Sequence, residues 1–255
     1  MIIVKTDREI EMMREAGRII AAVLDGMKTM IKPGVTTLEL DQWAEQTILR
    51  MKGKPAFKGY GGGENRAAYP ATICASINEE VVHGVPSRER ILQEGDIIGI
   101  DVGSCYQGYY SDGAWTYAVG PVSSEARRLM TTCKNALDAG IKEAVSGNCL
   151  GDLSRAIDRV VRAQGFEIVR DLTGHGIGRQ LHEDPQILNF DTGMKGPRLR
   201  TGMTLAIEPM INAGGYEVKT LADQWTVVTV DHSLSAHYEH SVVITENGPE
   251  ILTRL

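Results

Sequence analysis

No apolar run in the chain approaches the roughly 20 residues that a membrane-spanning helix requires. Lys5, Asp7, Arg8 and Glu9 crowd the start, where a secretory leader would place its apolar core. A cytoplasmic protein without membrane contact is therefore expected. Cysteine is scarce. The four residues Cys74, Cys105, Cys133 and Cys149 show no CxxC spacing, which excludes a zinc ribbon or dithiol motif and predicts reduced thiols, most of them small buried hydrophobes. Positive charge is also in short supply. With 27 basic against 33 acidic residues, a net charge of −6 and no dense Lys/Arg stripe, nucleic acid is not an expected partner, and a small or peptide substrate fits better. There is no Gly-x-Ser-x-Gly elbow, hence no support for a serine triad. Gly61-Gly62-Gly63 leads into Glu64-Asn65-Arg66 without a Walker lysine, so it reads as a flexible surface loop and not a phosphate cradle.

What is present suits a globular enzyme. The 255 residues are 42% hydrophobic and 24% charged, enough for one large domain or two tightly fused halves. Asp7 can cap a helix in which Ile10, Met13, Gly17, Ile20, Leu24 and Met27 recur every three or four residues, ending before Pro33-Gly34. Methionines at that spacing, such as Met12, Met13, Met27 and Met30, fill core gaps. Thr37 can cap a second helix to about Met51. Downstream, Ser123 or Ser124 opens a helix to about Val145, and another runs from about Gly151 to Gln164. An offset of roughly 113 residues aligns Gly34 with Gly147 and Leu40 with Leu153, and both copies lead into strand-rich sequence. The spacing predicts a repeat, halves 1–120 and 121–255 of one catalytic domain, with helices over a curved antiparallel sheet and the site between the halves.

Five residues carry metal-binding chemistry: Asp101, Asp112, His175, Glu208 and Glu239. Asp101 ends the apolar run Ile97–Ile100, and Asp112 follows Tyr109-Tyr110 after a turn, which reads as a β-hairpin. A turn centred between Tyr106 and Gln107 would set Asp101 directly opposite Asp112, about 4.5–5.5 Å apart at Cβ. Two carboxylates that close call for a cation, although solvated turn aspartates would look the same. His175 is flanked by Gly174 and Gly176, which allow close approach of a metal or substrate backbone. Glu208 closes the strand-like Met203–Ile207 before Pro209. Glu239 lies in a strand whose alternation sets His237, Glu239 and Ser241 on one face and Tyr238, His240 and Val242 on the other.

Several motifs in order resemble the bacterial type I methionine aminopeptidases over essentially the whole chain. They are Ile73–Glu79 with Val82-His83-Gly84-Val85-Pro86, Gly95–Asp101, Ser111-Asp112, Gly174–Gly178 with His182-Glu183, Ile207-Glu208-Pro209 and Ser235–His240. The resemblance implies the pita-bread fold (α+β, two pseudo-symmetric halves) and a hydrolase removing the initiator methionine from new proteins and peptides with a small second residue. It makes Asp101 a ligand of one metal, His175 of the other, Asp112 and Glu239 bridges, and Glu208 a ligand that also handles protons. The metals are two divalent ions drawn from Co, Mn, Fe or Zn. His83 and His182 would contact substrate and the tetrahedral intermediate, while His232, His237 and His240 are expected to be structural. Tyr69, Cys74, Leu181 and Trp225 would hold the methionine side chain. Leu181 stands where the family often has an aromatic, and the stretch before Tyr69 is longer than usual, which puts the role of Tyr60 in doubt. The implied partner is a peptide or nascent chain beginning with Met, met by a monomer in transient contact with the ribosome. Two other readings compete: a proline-specific peptidase of the same fold, and a pita-bread protein without catalysis that binds partners.

Overall fold

The computed structural model describes residues 2–63 and 67–254, so Glu64, Asn65 and Arg66, in the stretch before Tyr69 expected to be lengthened, lie outside the described residues. Four helices form where the apolar spacing predicts them: α1 (Asp7–Met30), α2 (Thr37–Arg50), α3 (Ser124–Glu143) and α4 (Leu150–Ala163). Their starts correct the expected caps. Thr6 and Thr36, not Asp7 and Thr37, are the N-caps, because each has a glutamate three residues on. The Glu9 and Glu39 carboxylates accept the N–H groups of Thr6 and Thr36 at 2.9 and 2.8 Å. Ser123 caps α3, which ends at Glu143, two residues short of the expected Val145. Asp152 plays the glutamate's part in α4 and accepts the Cys149 N–H at 2.8 Å.

The repeat is real at the level of single hydrogen bonds. An offset of 113 residues carries the ends of α2 onto those of α4. Gly34 and Gly147 both turn with positive φ, +91° and +101°, a region open to glycine. Their N–H groups donate to Leu92 and Leu199 respectively. Leu40 and Leu153 are both fully buried. α1 and α2 bury Ile20, Val23, Leu40 and Ile48 against Ile98 and Ile100. α3 and α4 bury Leu137, Leu153 and Ile157 against Leu205, Ile207 and Val242. Each such side chain contributes about 1.5–3 kcal/mol by leaving water. Met13 and Met27 lie in the core as expected, whereas Met12 and Met30 are only partly buried. Of the cysteines, Cys74 and Cys133 are buried and Cys105 and Cys149 only partly so, all four with free thiols. The expectation that most are buried thus holds for half of them.

Among the described residues, all the strand pairs are antiparallel. In the first half a long hairpin, Ile97–Tyr106 with Tyr109–Ala118, is flanked by Ile73–Ile77 and by Lys54–Pro55. In the second half five strands pair in the order Gly248–Ile251, His240–Thr245, Thr204–Ile207, Gly174–Gly176, Glu183–Ile187. Ser235–His237, Met210–Asn212 and Glu167–Ile168 form a smaller sheet. A second small sheet joins Val218–Thr220, Val227–Thr229 and Glu80–Val82. Among the described residues, no helix is long and apolar enough to cross a membrane.

The hairpin register differs from the expected one. Tyr106 pairs with Tyr109, and the turn is Gln107-Gly108 with φ of +50° and +86°, the two positive values of a type I′ turn. Asp101 therefore faces Ala114, and Asp112 faces Gly103. The two aspartates sit on one face as diagonal neighbours, still within each other's field.

Candidate metal centre

The halves meet along a seam of three steps. Ala114 and Glu239 exchange backbone hydrogen bonds at 2.8 and 3.3 Å. Two residues to one side, the Ser241 hydroxyl accepts the Asp112 N–H at 2.9 Å and donates to the Asp112 carbonyl at 2.8 Å. Two residues to the other, the Thr116 hydroxyl does the same for His237, at 3.0 and 2.8 Å. The seam fixes Asp112, Glu239 and His237 relative to one another. Glu208 joins them through a ladder that breaks. Met210 pairs with His237, and Ile207 pairs with His240, which sets Glu208 opposite Glu239 in the gap between the two sheets. Pro209, which has no N–H to give, occupies the break. The expected single strand around Glu239 is thus two strands belonging to different sheets. Its alternation nevertheless survives: Tyr238 and His240 pack on Trp115, while His237 reaches Glu208.

His175 comes from the short strand between Thr204–Ile207 and Glu183–Ile187. Its flanking glycines allow close packing within the sheet. A Cβ on Gly174 would sit 2.5 Å from the Ala206 carbonyl oxygen, and one on Gly176 would sit 2.1 Å from that of Asp184. The His175 Nδ1–H donates to the Gly176 carbonyl at 2.8 Å. Since a carbonyl only accepts, Nε2 is left as a bare lone pair. That atom points at Glu208 Oε1, 3.5 Å away, and burial, then His182, push the His175 pKa down to about 3. The ring is neutral at pH 7 and fit to be a ligand.

The carboxylates are displaced the other way. Burial raises the pKa of Asp101 well above the usual range, helped by the charges of Asp112 and Glu208. Glu239 and Glu208 are raised by burial and then by Asp112. Asp112 is raised by burial as well, although the Gly113 N–H donates to its Oδ1 at 3.0 Å. Four acids crowded together, Asp112 and Glu239 buried and Asp101 and Glu208 partly so, favour protonation unless a cation neutralises them. Asp101 Oδ1, Glu239 Oε1 and His237 Nε2 are buried without a hydrogen-bond partner. Donor atoms of Asp112, His175 and Glu239 lie within 4.8 Å of one another, and so do those of Glu208, His237 and Glu239. Orphaned oxygens and a bare imidazole nitrogen in a hard, mostly carboxylate set fit divalent metal ions.

All the residues singled out from the sequence come together around one cavity of about 290 Å³, namely Tyr69, Cys74, His83, Asp101, Asp112, His175, Leu181, His182, Glu208, Trp225 and Glu239. Tyr69 turns its hydroxyl away, to the carbonyls of Ile73 and Gly84 at 3.0 and 3.1 Å, and packs edge-on against Trp225. This leaves the cavity wall apolar. Burial raises the Cys74 thiol pKa, so the group stays a neutral thiol. His83 has φ of +60°, a strained value for a side chain of its size. It is held there because Gly84 after it packs on strand Ile73–Ile77, where a Cβ would lie 2.4 Å from the Ala75 carbonyl oxygen. His182 stands at the exposed rim with its ring 4.3 Å from that of His175, and the protein around it lowers its pKa.

Four residues that sequence reasoning missed or set aside also belong here. Phe57, Tyr60 and Gly61 line the cavity, and the Tyr60 hydroxyl meets His182 Nδ1 at 2.6 Å. Backbone bonds from Gly59 to Tyr69 and from Tyr69 to Tyr60 join the two ends of the stretch before Tyr69, which keeps Tyr60 at the mouth. Gly61 is therefore part of the rim, packed under Trp225. The fourth is His237, expected to be structural but 3.6 Å from Glu208 Oε2. Its signal was available, since it shares a strand face with Glu239. His240, by contrast, is the structural residue expected, bonded to the Thr253 hydroxyl.

Residues 11–246 match the model of metallopeptidase family M24. The chain is 51% identical over 253 residues to a methionine aminopeptidase of Clostridium acetobutylicum, covering 99% of each protein. It is 51% identical over 255 residues to methionine aminopeptidase 1 of Bacillus subtilis, covering all of both. Its structure superposes on that of a methionine aminopeptidase from Thermotoga maritima with a TM-score of 0.96, at 46% identity over the full length of each chain. The fold is accordingly the pita-bread fold expected from the sequence.

Proposed function

The chain belongs to metallopeptidase family M24, and on that premise we propose that it is a methionine aminopeptidase, removing the N-terminal methionine from peptides and new proteins as one catalytic domain. The observation that carries the reading is the convergence of four carboxylates and a bare imidazole nitrogen on the floor of a cavity whose wall is apolar. Asp101, Asp112, His175, Glu208 and Glu239 would hold two divalent ions drawn from Co, Mn, Fe or Zn, Asp112 and Glu239 as the shared ligands. Bound there, such ions polarise a carbonyl and bring the pKa of water toward neutrality.

The remaining steps belong to the chain itself. Phe57, Tyr69, Cys74, Leu181 and Trp225 take up the methionine side chain, and sulfur against aromatic rings adds roughly 0.3–1.5 kcal/mol per contact. His83 and His182 at the mouth donate to the substrate carbonyl oxygen as charge develops on it. Glu208 accepts a proton from the attacking water as the new C–O bond forms and returns it to the amine as the C–N bond breaks. A small second residue, a cytoplasmic location and a monomer in transient contact with the ribosome complete the reading.

Metal-stripped protein should cleave neither Met-Ala-Ser nor Ala-Pro-Ala, and metal-reloaded protein should cleave the first in preference to the second. Preference for Ala-Pro-Ala would indicate a proline-specific enzyme, and inactivity with every divalent ion a binding protein. Glu208→Gln keeps the shape and removes the basicity, so kcat should fall by roughly 10²–10⁴-fold. Unchanged turnover would remove Glu208 from proton transfer.

A further inference from the structure

The Glu208 carboxylate is bracketed by two imidazoles, and one of them has no role in the mechanism above. Beside Oε1, at 3.5 Å, stands His175 Nε2, whose lone pair is bare because the Nδ1–H is spent on the Gly176 carbonyl. Two acceptors facing each other at that distance define the edge on which a cation belongs. Beside Oε2, at 3.6 Å, stands His237 Nε2, on a side chain only 3% exposed and without a hydrogen-bond partner.

His237 cannot easily turn away. Its backbone N–H and carbonyl are both clamped by the Thr116 hydroxyl, and it pairs across the sheet with Met210, two residues beyond Glu208. Asp101, Asp112 and Glu239 already bring three carboxylates to the rest of the cluster. Oε2 of Glu208 is the oxygen on the side of the partnerless His237 Nε2. A shift of about half an ångström would bring Nε2–H into the 2.7–3.2 Å range of a hydrogen bond.

We propose that His237 is a positioning residue for Glu208: its Nε2–H donates to Oε2 and anchors that oxygen, which leaves Oε1 on the side of the metal and the reacting water. The carboxylate is thereby divided into an anchored edge and a working edge. The inference rests on the reading of this site as a metal-dependent peptidase centre.

His237→Leu fills the space without a donor, and His237→Gln restores an N–H. Outer partners of metal ligands are typically worth 10–100-fold, so His237→Leu should lower kcat on Met-Ala-Ser by about that factor with KM unchanged, and His237→Gln should recover most of it. X-ray absorption of the cobalt-loaded protein should count the same number of imidazoles per metal in wild type and His237→Leu. Loss of an imidazole would make His237 a ligand, alongside Glu208 and Glu239, and overturn the proposal. Unchanged kcat in His237→Leu would overturn it too. Should that variant fail to fold, imidazole ¹⁵N shifts of the zinc-loaded wild type decide: Nε2 of His237 must carry a hydrogen, and a bare or metal-bound Nε2 refutes the assignment. Wild-type protein that binds metal but cleaves no peptide would instead refute the underlying reading.

Discussion

The two halves repeat each other in their helices and diverge in how they deliver ligands. The first half presents Asp101 and Asp112 from a hairpin whose ladder runs unbroken from Ile97 to Ala118. The second presents Glu208 and Glu239 from a ladder interrupted at Pro209 and Tyr238. Short carboxylates come from the rigid side and long ones from the broken side. A continuous strand already points its side chains at one face at fixed spacing, so the shorter residue is the better held. Where the regular ladder is interrupted, the Tyr238 N–H still donates to the Pro209 carbonyl at 3.4 Å, and the ligands delivered from there carry the extra methylene of glutamate.

Exchanging the arm lengths should break this division most severely. Glu239→Asp withdraws the carboxylate by one methylene and Asp112→Glu overfills a buried site. Displacements near 1 Å at a reacting centre cost about 10²-fold, so kcat/KM should fall by that order in each. Retention of activity in Glu239→Asp would show that the break does not set the reach. The seam itself is the next target. Ser241→Ala leaves the Asp112 N–H and carbonyl buried without the hydroxyl, at a cost of about 1–3 kcal/mol, to be read from the urea midpoint of metal-free protein; an unshifted midpoint would deny the hydroxyl its bridging role.

The smallest effect concerns a pair that the repeat relates and chemistry separates. Asp41 of α2 accepts the N–H groups of Thr72 and Ile73 at 2.8 and 3.0 Å, whereas Ser154, its counterpart in α4, donates to the Leu188 carbonyl. Burial raises the Asp41 pKa despite those bonds. A folded pKa above the unfolded one, about 3.9, means that the Asp41 contribution is full below that value and is lost as pH rises through the folded pKa. Asp41→Asn should remove this dependence, and urea melts between pH 4 and 7 should show a flatter stability profile. A profile as steep as the wild type would assign the slope to other groups.

Much of this was legible before any coordinates. The four helices follow from apolar spacing and flanking glycines, and the repeat offset was correct to the residue. The five ligand candidates announced themselves as acids and a histidine in strand-like or glycine-bounded runs, where an innocent reading is costly. What escaped depends on conformations that side-chain type does not encode. Gln107 adopts a positive φ that nothing in its chemistry favours, so the hairpin register was misplaced. The break at Tyr238 is invisible in an apolar alternation that continues across it. Phe57 and Tyr60 reach the cavity through a loop pinched at its base, a contact with no periodic signature. His237 was visible by alternation but lacked a partner until the ladder set Glu208 beside it.

The three-step seam also works as a key. A slip of one residue between the halves would turn every side chain over, offering Tyr238 or His240 in place of Glu239. A slip of two would keep the faces yet part Thr116 and Ser241 from the backbone groups that each hydroxyl bridges. One docking therefore satisfies both conditions, so the choice that brings the halves together in folding is the same choice that assembles the metal centre.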